Sequence, residues 1–281
     1  MISSWQAAPL VVARIVAGGL LVVALGCGGS PEAGVDAPSS EVPSVAQNPT
    51  PDQRKAAPLT LAAAVRPGGQ VVETPQTKAA REALHILTTP GSEPAAWEAA
   101  QLKLIALGAD AAPVLIEALQ SSNDVERETA ATVCALTDTV EAPLQAALAT
   151  CLSDSSSFVR ANAAAALVRF PEHQPRVMST LTDLLADTNP QLRRMAATNL
   201  SAFGPEASSA LPQLTAVLTD NDAEVVTPVI QLLGRIGPQA VDAVPQLQKI
   251  AFEQHGELKH AAEQALLLIQ TDAESRSPGE K

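Results

Sequence analysis

Apolar residues recur along this chain at helical spacing. Across residues 190–203 the apolar positions are Leu192, Met195, Ala196, Leu200 and Phe203, one face of a 3.6-residue period. The segment that follows places Leu211, Leu214, Val217 and Leu218 in the same way. No long stretch alternates apolar and polar residues as a half-buried strand would. The pattern predicts helices that pair as 77–88 with 94–107, 111–120 with 124–136 and 140–152 with 157–169. It then predicts 176–186 with 190–203, 207–218 with 222–236 and 239–251 with 258–270. Most connections are two to six residues long, so consecutive helices should run antiparallel.

The pattern is also periodic on a longer scale. Leu119, Leu152, Leu185 and Leu218 follow one another at a constant step of thirty-three, and so do Cys134, Leu167, Leu200, Leu233 and Leu266. Asp154, Asp187 and Asp220 keep that step, as do Arg127, Arg160 and Arg193. Gly204-Pro205 returns as Gly237-Pro238, and Pro212 as Pro245. A fixed period of this size means stacked supersecondary units, each burying its apolar face on its neighbours. The expected fold is therefore all-α: an α-solenoid of about six antiparallel helical hairpins. Gly after a helix and Pro in the first turn of the next suit the Gly-Pro punctuation. Pro113, Pro212 and Pro245 fall inside the first helix of their pairs, where a missing amide should bend it.

The units resemble the HEAT-repeat family, especially its short bacterial branch shared with phycobilisome lyases. The resemblance rests on Leu185-Ala186-Asp187, Leu192-Arg193, Ala196-Ala197, Leu200, Gly204-Pro205 and Pro212-Gln213-Leu214, and covers residues 94–270. In such repeats a turn Asp precedes a helical Arg by six residues. Asp154/Arg160 and Asp187/Arg193 fit, and Glu253/Lys259 echoes them. The resemblance implies that these pairs form a ladder bracing successive turns. Ser121 before Arg127, and Val226 after Asp220, break the pattern. The resemblance also implies that the second helix of each hairpin lines a concave surface. On those helices Thr132, Ala165, Thr198, Gln231 and Gln264 recur at the repeat step on a side away from the core, with Arg194 and His260 on a neighbouring row. A strip of short, mostly uncharged side chains suits an extended peptide or a helix of a protein partner.

The N-terminus carries a separate signal. An apolar run at residues 15–25 follows Arg14 and ends in Gly26-Cys27. The layout is that of a secretory signal, too short for a comfortable transmembrane helix. Ala24-Leu25-Gly26-Cys27 resembles the bacterial lipobox, although the usual order is Leu-small-Gly-Cys. That resemblance implies a signal peptide at 1–26, lipidation of Cys27 and a membrane-anchored lipoprotein facing the periplasm or exterior. Residues 27–76, with Pro31, Pro38, Pro43, Pro49, Pro51, Pro58 and Pro67, read as a disordered tether, and 271–281 as a disordered tail. The repeats then occupy 77–270. Residues 59–65 form a short apolar patch before the repeats, with the pattern of a transient helix or a strip that docks on the first of them.

Composition narrows the function. Net charge is -12 and aromatics are 2%. An acidic chain is a poor partner for nucleic acid or anionic membranes, which leaves the lipid as the expected membrane contact. His85, His173, His255 and His260 do not cluster, so no metal or cofactor is expected. No Gly-x-Ser-x-Gly elbow or phosphate loop occurs. Cys134 and Cys151 lie near the ends of successive antiparallel helices, too far apart to bridge, and Cys134 occupies a Leu core position. The expectation is a lipid-anchored interaction scaffold without catalysis. The alternative is a lyase-type enzyme of the related branch, which the export signal disfavours.

Overall fold

The computed structural model describes residues 73–275. Among them twelve α-helices follow in order. The first six are α1 Pro75–Thr88, α2 Pro94–Leu107, α3 Ala112–Leu119, α4 Asp124–Leu136, α5 Ala142–Cys151 and α6 Ser157–Leu167. Then come α7 Gln174–Leu184, α8 Pro190–Leu200, α9 Leu211–Val217, α10 Ala223–Ile236, α11 Val244–Glu253 and α12 Gly256–Ser275. They pair as six hairpins, and there is no strand among the described residues. The last helix continues to Ser275, beyond the expected end at 270, because residues 271–275 contain no Gly or Pro to stop it. Cys27, the tether to Gln76 and the signal segment lie outside the described residues, apart from the tether's last four residues; of these, Thr74 caps α1 and Pro75 and Gln76 begin it.

Each hairpin buries its apolar positions against the next one. The second helices pack directly on one another in the order α4, α6, α8, α10, α12. Leu167, Leu200 and Leu233, one period apart, are fully buried, and Cys134 occupies the equivalent place in α4. Small residues keep these helices close: Ala130, Ala131, Ala161, Ala163, Ala164, Ala196 and Ala197 are completely buried. The result is one continuous core in which every unit depends on its neighbours.

The prolines do something other than bend the first helices. Pro113, Pro212 and Pro245 stand in the first turn of α3, α9 and α11. A 3₁₀ segment precedes each: Gly108–Ala111, Ser201–Ala210 and Gly237–Ala243. A first-turn amide has no partner within its own helix, so proline costs nothing there. The expected bend inside a helix is therefore a break between a 3₁₀ lead-in and an α-helix. These lead-ins carry much of the contact between outer helices: α7 touches 201–210, and α9 touches 237–243. Gly204, with φ +58°, turns the chain where α8 gives way to the next hairpin.

Candidate functional site

The turns of the four middle hairpins are built from a few positions that recur at the repeat step. At the first, the side chains of Asp154, Asp187 and Asp220 accept the amide N–H two residues on, at 2.8, 2.9 and 2.9 Å. Ser121 does the same with its hydroxyl oxygen, at 3.1 Å. At the second position, Asn123, Asn189 and Asp222 cap α4, α8 and α10 by accepting the N–H of Val125, Gln191 and Glu224. At the third, Arg127 and Arg193 tie one turn to the next, whereas Arg160 does not.

Here the structure corrects the expected ladder. Arg193 donates from Nη1 to the backbone oxygen of Asp187 at 3.0 Å, not to its carboxylate. Its Nε and Nη2 reach Asp220 of the following hairpin, at 2.6 and 3.3 Å. Arg127 repeats this with the backbone oxygen of Ser121 at 3.0 Å and both carboxylate oxygens of Asp154 at 2.7 and 3.0 Å. Arg160 donates to the Asp154 and Ser155 backbone oxygens and to the Ser157 hydroxyl, so it stays within its own turn. The ion pairs therefore join neighbouring hairpins, and within a turn the arginine needs only a carbonyl six residues back. Ser121 is no gap on this scheme, and Asp220 is taken by Arg193 although Val226 follows it. Glu253 and Lys259 do not pair with each other; each meets a partner one helical turn away, Lys249 and Glu263.

The Arg127–Asp154 and Arg193–Asp220 pairs are well shielded, with side chains 11–20% exposed. The guanidinium of Arg127 holds the Asp154 carboxyl below its usual range, and Arg193 does the same for Asp220. A further set of arginines caps helix ends across hairpins: Arg169 donates to the Thr137 oxygen at 2.7 Å, and Arg235 to the Ser201 oxygen at 2.6 Å.

The positions expected to form a strip lie on α4, α6, α8, α10 and α12. Thr132 and Ala165 are half-buried, whereas Thr198, Gln231 and Gln264 are exposed. The Thr132 hydroxyl donates to the backbone oxygen of Glu128 at 2.8 Å, and burial pushes the Glu128 carboxyl up. Arg194 is held by the next hairpin, through Asp222 at 2.6 Å and Glu224 at 2.9 Å. Between α10 and α12 the strip deepens into an open groove of about 510 Å³, lined by Gln231, Gly234, Arg235, Glu257, His260, Ala261, Gln264, Ala265 and Leu268. Gln231 and Gln264, a full period apart in sequence, thus share one site. The groove's floor follows from a close approach: a Cβ on Gly234 would lie 3.0 Å from the Ala265 Cα.

No group of His, Cys, Asp and Glu among the described residues is arranged to hold a metal ion. Among them, too, no helix is long and apolar enough to cross a membrane. Cys134 and Cys151 are free, buried thiols, pushed by burial up to about 12 and about 11.

The family of HEAT repeats matches this chain over residues 112–201 and again over 178–267. The chain belongs to the HEAT-repeat family. Among solved structures, the HEAT repeats are similar to an engineered protein of the Northeast Structural Genomics Consortium. The two share 25% identity and a TM-score of 0.50, over 70% of this chain and 90% of that one. A designed armadillo repeat protein in complex with peptide (KR)4 is similar at 19% identity and a TM-score of 0.52, over 67% and 98% of the two chains. Another designed armadillo repeat protein has 20% identity and a TM-score of 0.51, over 67% and 99%. No curated protein matches this chain.

The inter-hairpin ladder is hidden in the HEAT sequence for a physical reason. Its members follow the repeat step, but each contact joins an arginine to an aspartate of the next unit, a relation that has meaning only once hairpins are stacked. The N-cap positions 123, 156, 189 and 222 form a periodic Asn/Ser/Asn/Asp series, of which all but Ser156 cap through their side chains.

Proposed function

We propose that this chain is a HEAT-repeat scaffold that binds an extended segment of a protein partner along its second helices, without catalysis of its own. The groove between α10 and α12 carries this reading. Its walls offer two primary amides, Gln231 and Gln264, each able to donate to and accept from a peptide backbone. Its base is made of Gly234, Ala261 and Ala265, which leave room for a main chain to lie close. The second helices form the concave side, and the strip Thr132, Thr198, Gln231 and Gln264 runs along it. A designed solenoid of similar fold is recorded with a bound peptide, (KR)4, which supports a peptide as the kind of ligand this architecture can present itself to.

The scaffold is anchored in the cell envelope through lipid on Cys27, on the periplasmic or exterior side. The support is the apolar run at 15–25 that ends in Leu25-Gly26-Cys27. In cells, Cys27→Ser should shift the protein out of the membrane fraction and remove the acyl mass. An unchanged membrane fraction would reject the anchor and leave the peptide site untouched.

The binding reading is tested by a photo-crosslinking residue placed at Gln231 in the native cell. Gln213, exposed on the first-helix layer, serves as comparator. A discrete protein adduct from Gln231 and none from Gln213 is expected. Equal or absent adducts from both sites would overturn the assignment.

A further inference from the structure

A stack of repeats has two ends, and each end must present a face that water tolerates. The C-terminal end does so by setting polar residues around its apolar ones: the outward row of α12 is His260, Glu263, Leu267 and Gln270, all exposed, with Leu267 55% exposed and the His260 Nδ1 3.6 Å from a Glu263 oxygen. The N-terminal row has no polar member. The outward row of α2 is Ala95, Ala99, Leu102 and Ala106, four apolar residues at helical spacing, all exposed, with Leu102 56% exposed. The opposite side of the same helix buries Ala100 and Leu104 and half-buries Trp97 and Leu107 against the core. A helix apolar on both sides is built to be covered on both.

The chain itself supplies a cover of matching length and chemistry. Residues 59–65 read Leu-Thr-Leu-Ala-Ala-Ala-Val, without a charge, between Pro58 and Arg66-Pro67. Seven residues, 66–72, connect this run to the first described residue, Glu73. Fully extended they span about 23–25 Å. The 14 residues of α2 make a helix about 21 Å long. Because α2 folds back on α1, its far end lies near the start of α1, where the connection begins. Every point of the α2 row is within reach. The alanines on both partners allow the close approach already seen between Gly234 and Ala265.

We propose that residues 59–65 dock on the outer row of α2 and act as the N-terminal cap of the solenoid, sealing Ala99 and Leu102 from water. The tether then begins only before Pro58. This inference is independent of the peptide site, which lies at the other end of the stack.

The test uses the full chain carrying Cys27→Ser with a Leu61→Cys, Leu102→Cys pair. Mild oxidation should form an intramolecular disulfide much faster than a Val45→Cys, Leu102→Cys control from within the tether. Crosslinking no faster than that control would overturn the cap. Disulfides mainly between two chains would overturn it too, and assign the α2 row to a second copy. As a second readout, Leu59→Asp with Leu61→Asp should raise hydrogen exchange of the α2 amides at least severalfold while α6 is unchanged. Unaltered exchange in α2 would reject the proposal even if the engineered cysteines failed to pair.

Discussion

The Arg127 guanidinium meets both carboxylate oxygens of Asp154 in the next hairpin, at 2.7 and 3.0 Å. The same arginine braces its own turn by donating to the Ser121 oxygen. One side chain thus closes its own hairpin and bolts it to the next. Arg193 repeats the arrangement with Asp187 and Asp220. In a solenoid each unit touches only its neighbours, so such bolts act where the cooperativity of the stack is decided.

Removing a bolt should be costly. Arg193→Ala leaves the Asp220 carboxylate, 13% exposed, without its charged donor. The expected loss is about 1–3 kcal/mol, and Arg127→Ala should match it. Arg160→Ala breaks only bonds within one turn, so about 0.5–1.5 kcal/mol is expected. Urea denaturation of the three variants checks the ranking. Equal losses for Arg160 and Arg193 would show that the inter-hairpin contact adds nothing.

The same pairs set an acid limit on stability. Asp154 and Asp220 have carboxyls lowered from 3.8 in the folded chain, chiefly by hydrogen bonds from Arg127 and Arg193. Below about pH 4 the unfolded chain therefore binds these protons first. Their contribution is fully present above the unfolded value and disappears as pH falls through the folded one. Urea midpoints should hardly change between pH 7 and 5 on this account and fall below pH 4. In Asp154→Asn the acid-dependent part should shrink. An identical acid slope in that variant would remove Asp154 from the effect.

Much of the fold is readable in the sequence because the signals are local. The helical period, the repeat step and the short loops define six hairpins, whose helices the structure places within a few residues of expectation. Pro113, Pro212 and Pro245 are misplaced by that reading, because sequence alone does not mark where a 3₁₀ lead-in ends and an α-helix begins. The ladder partners are misassigned too. A six-residue spacing is visible in a string of letters, whereas Arg127 to Asp154 is a contact between neighbouring units. Thr198, Gln231 and Gln264 stand out because surface positions inherit the period of the core. Arg194 looks available in the sequence for the same reason, but Asp222 and Glu224 hold it.

Close helix packing around the groove predicts intolerance at Gly234. A Cβ there would lie 3.0 Å from the Ala265 Cα, 3.2 Å from its Cβ and 3.3 Å from a Leu268 methyl. Because one neighbour is backbone, the helices must separate to admit a larger side chain. Gly234→Leu should cost about 1–3 kcal/mol. It should also speed hydrogen exchange in α12 ahead of α4. Wild-type stability in the variant would mean that α12 can shift without loss.

Chemical reactivity offers an independent check on the core. Cys134 and Cys151 are 0% and 5% exposed, with thiols pushed up to about 12 and about 11 by burial. Thiolate is the reactive form, and at neutral pH it is scarce at both sites. A chain carrying Cys27→Ser should resist iodoacetamide while folded and take up two alkyl groups in denaturant, one at each remaining cysteine. Rapid labelling of Cys151 under native conditions would show that α5 opens locally.

The groove makes the sharpest functional prediction. Thr198 and Gln231 are exposed on the second helices, and neither is buried in the core. Substituting either with Glu or Arg should alter stability by no more than about 0.5 kcal/mol. A partner segment that lies along the strip must pass both positions, and a charge placed against its backbone or an apolar side chain has to be desolvated. Binding should weaken about tenfold or more for Gln231→Glu, equivalent to about 1.4 kcal/mol, and less for Thr198→Glu, which lies outside the deep groove. Titration of the captured partner against both variants measures this directly. If both bind at full strength, the interface lies elsewhere, with the groove of about 450 Å³ between α1 and α3, lined by Arg81, His85 and Glu117, the next place to look.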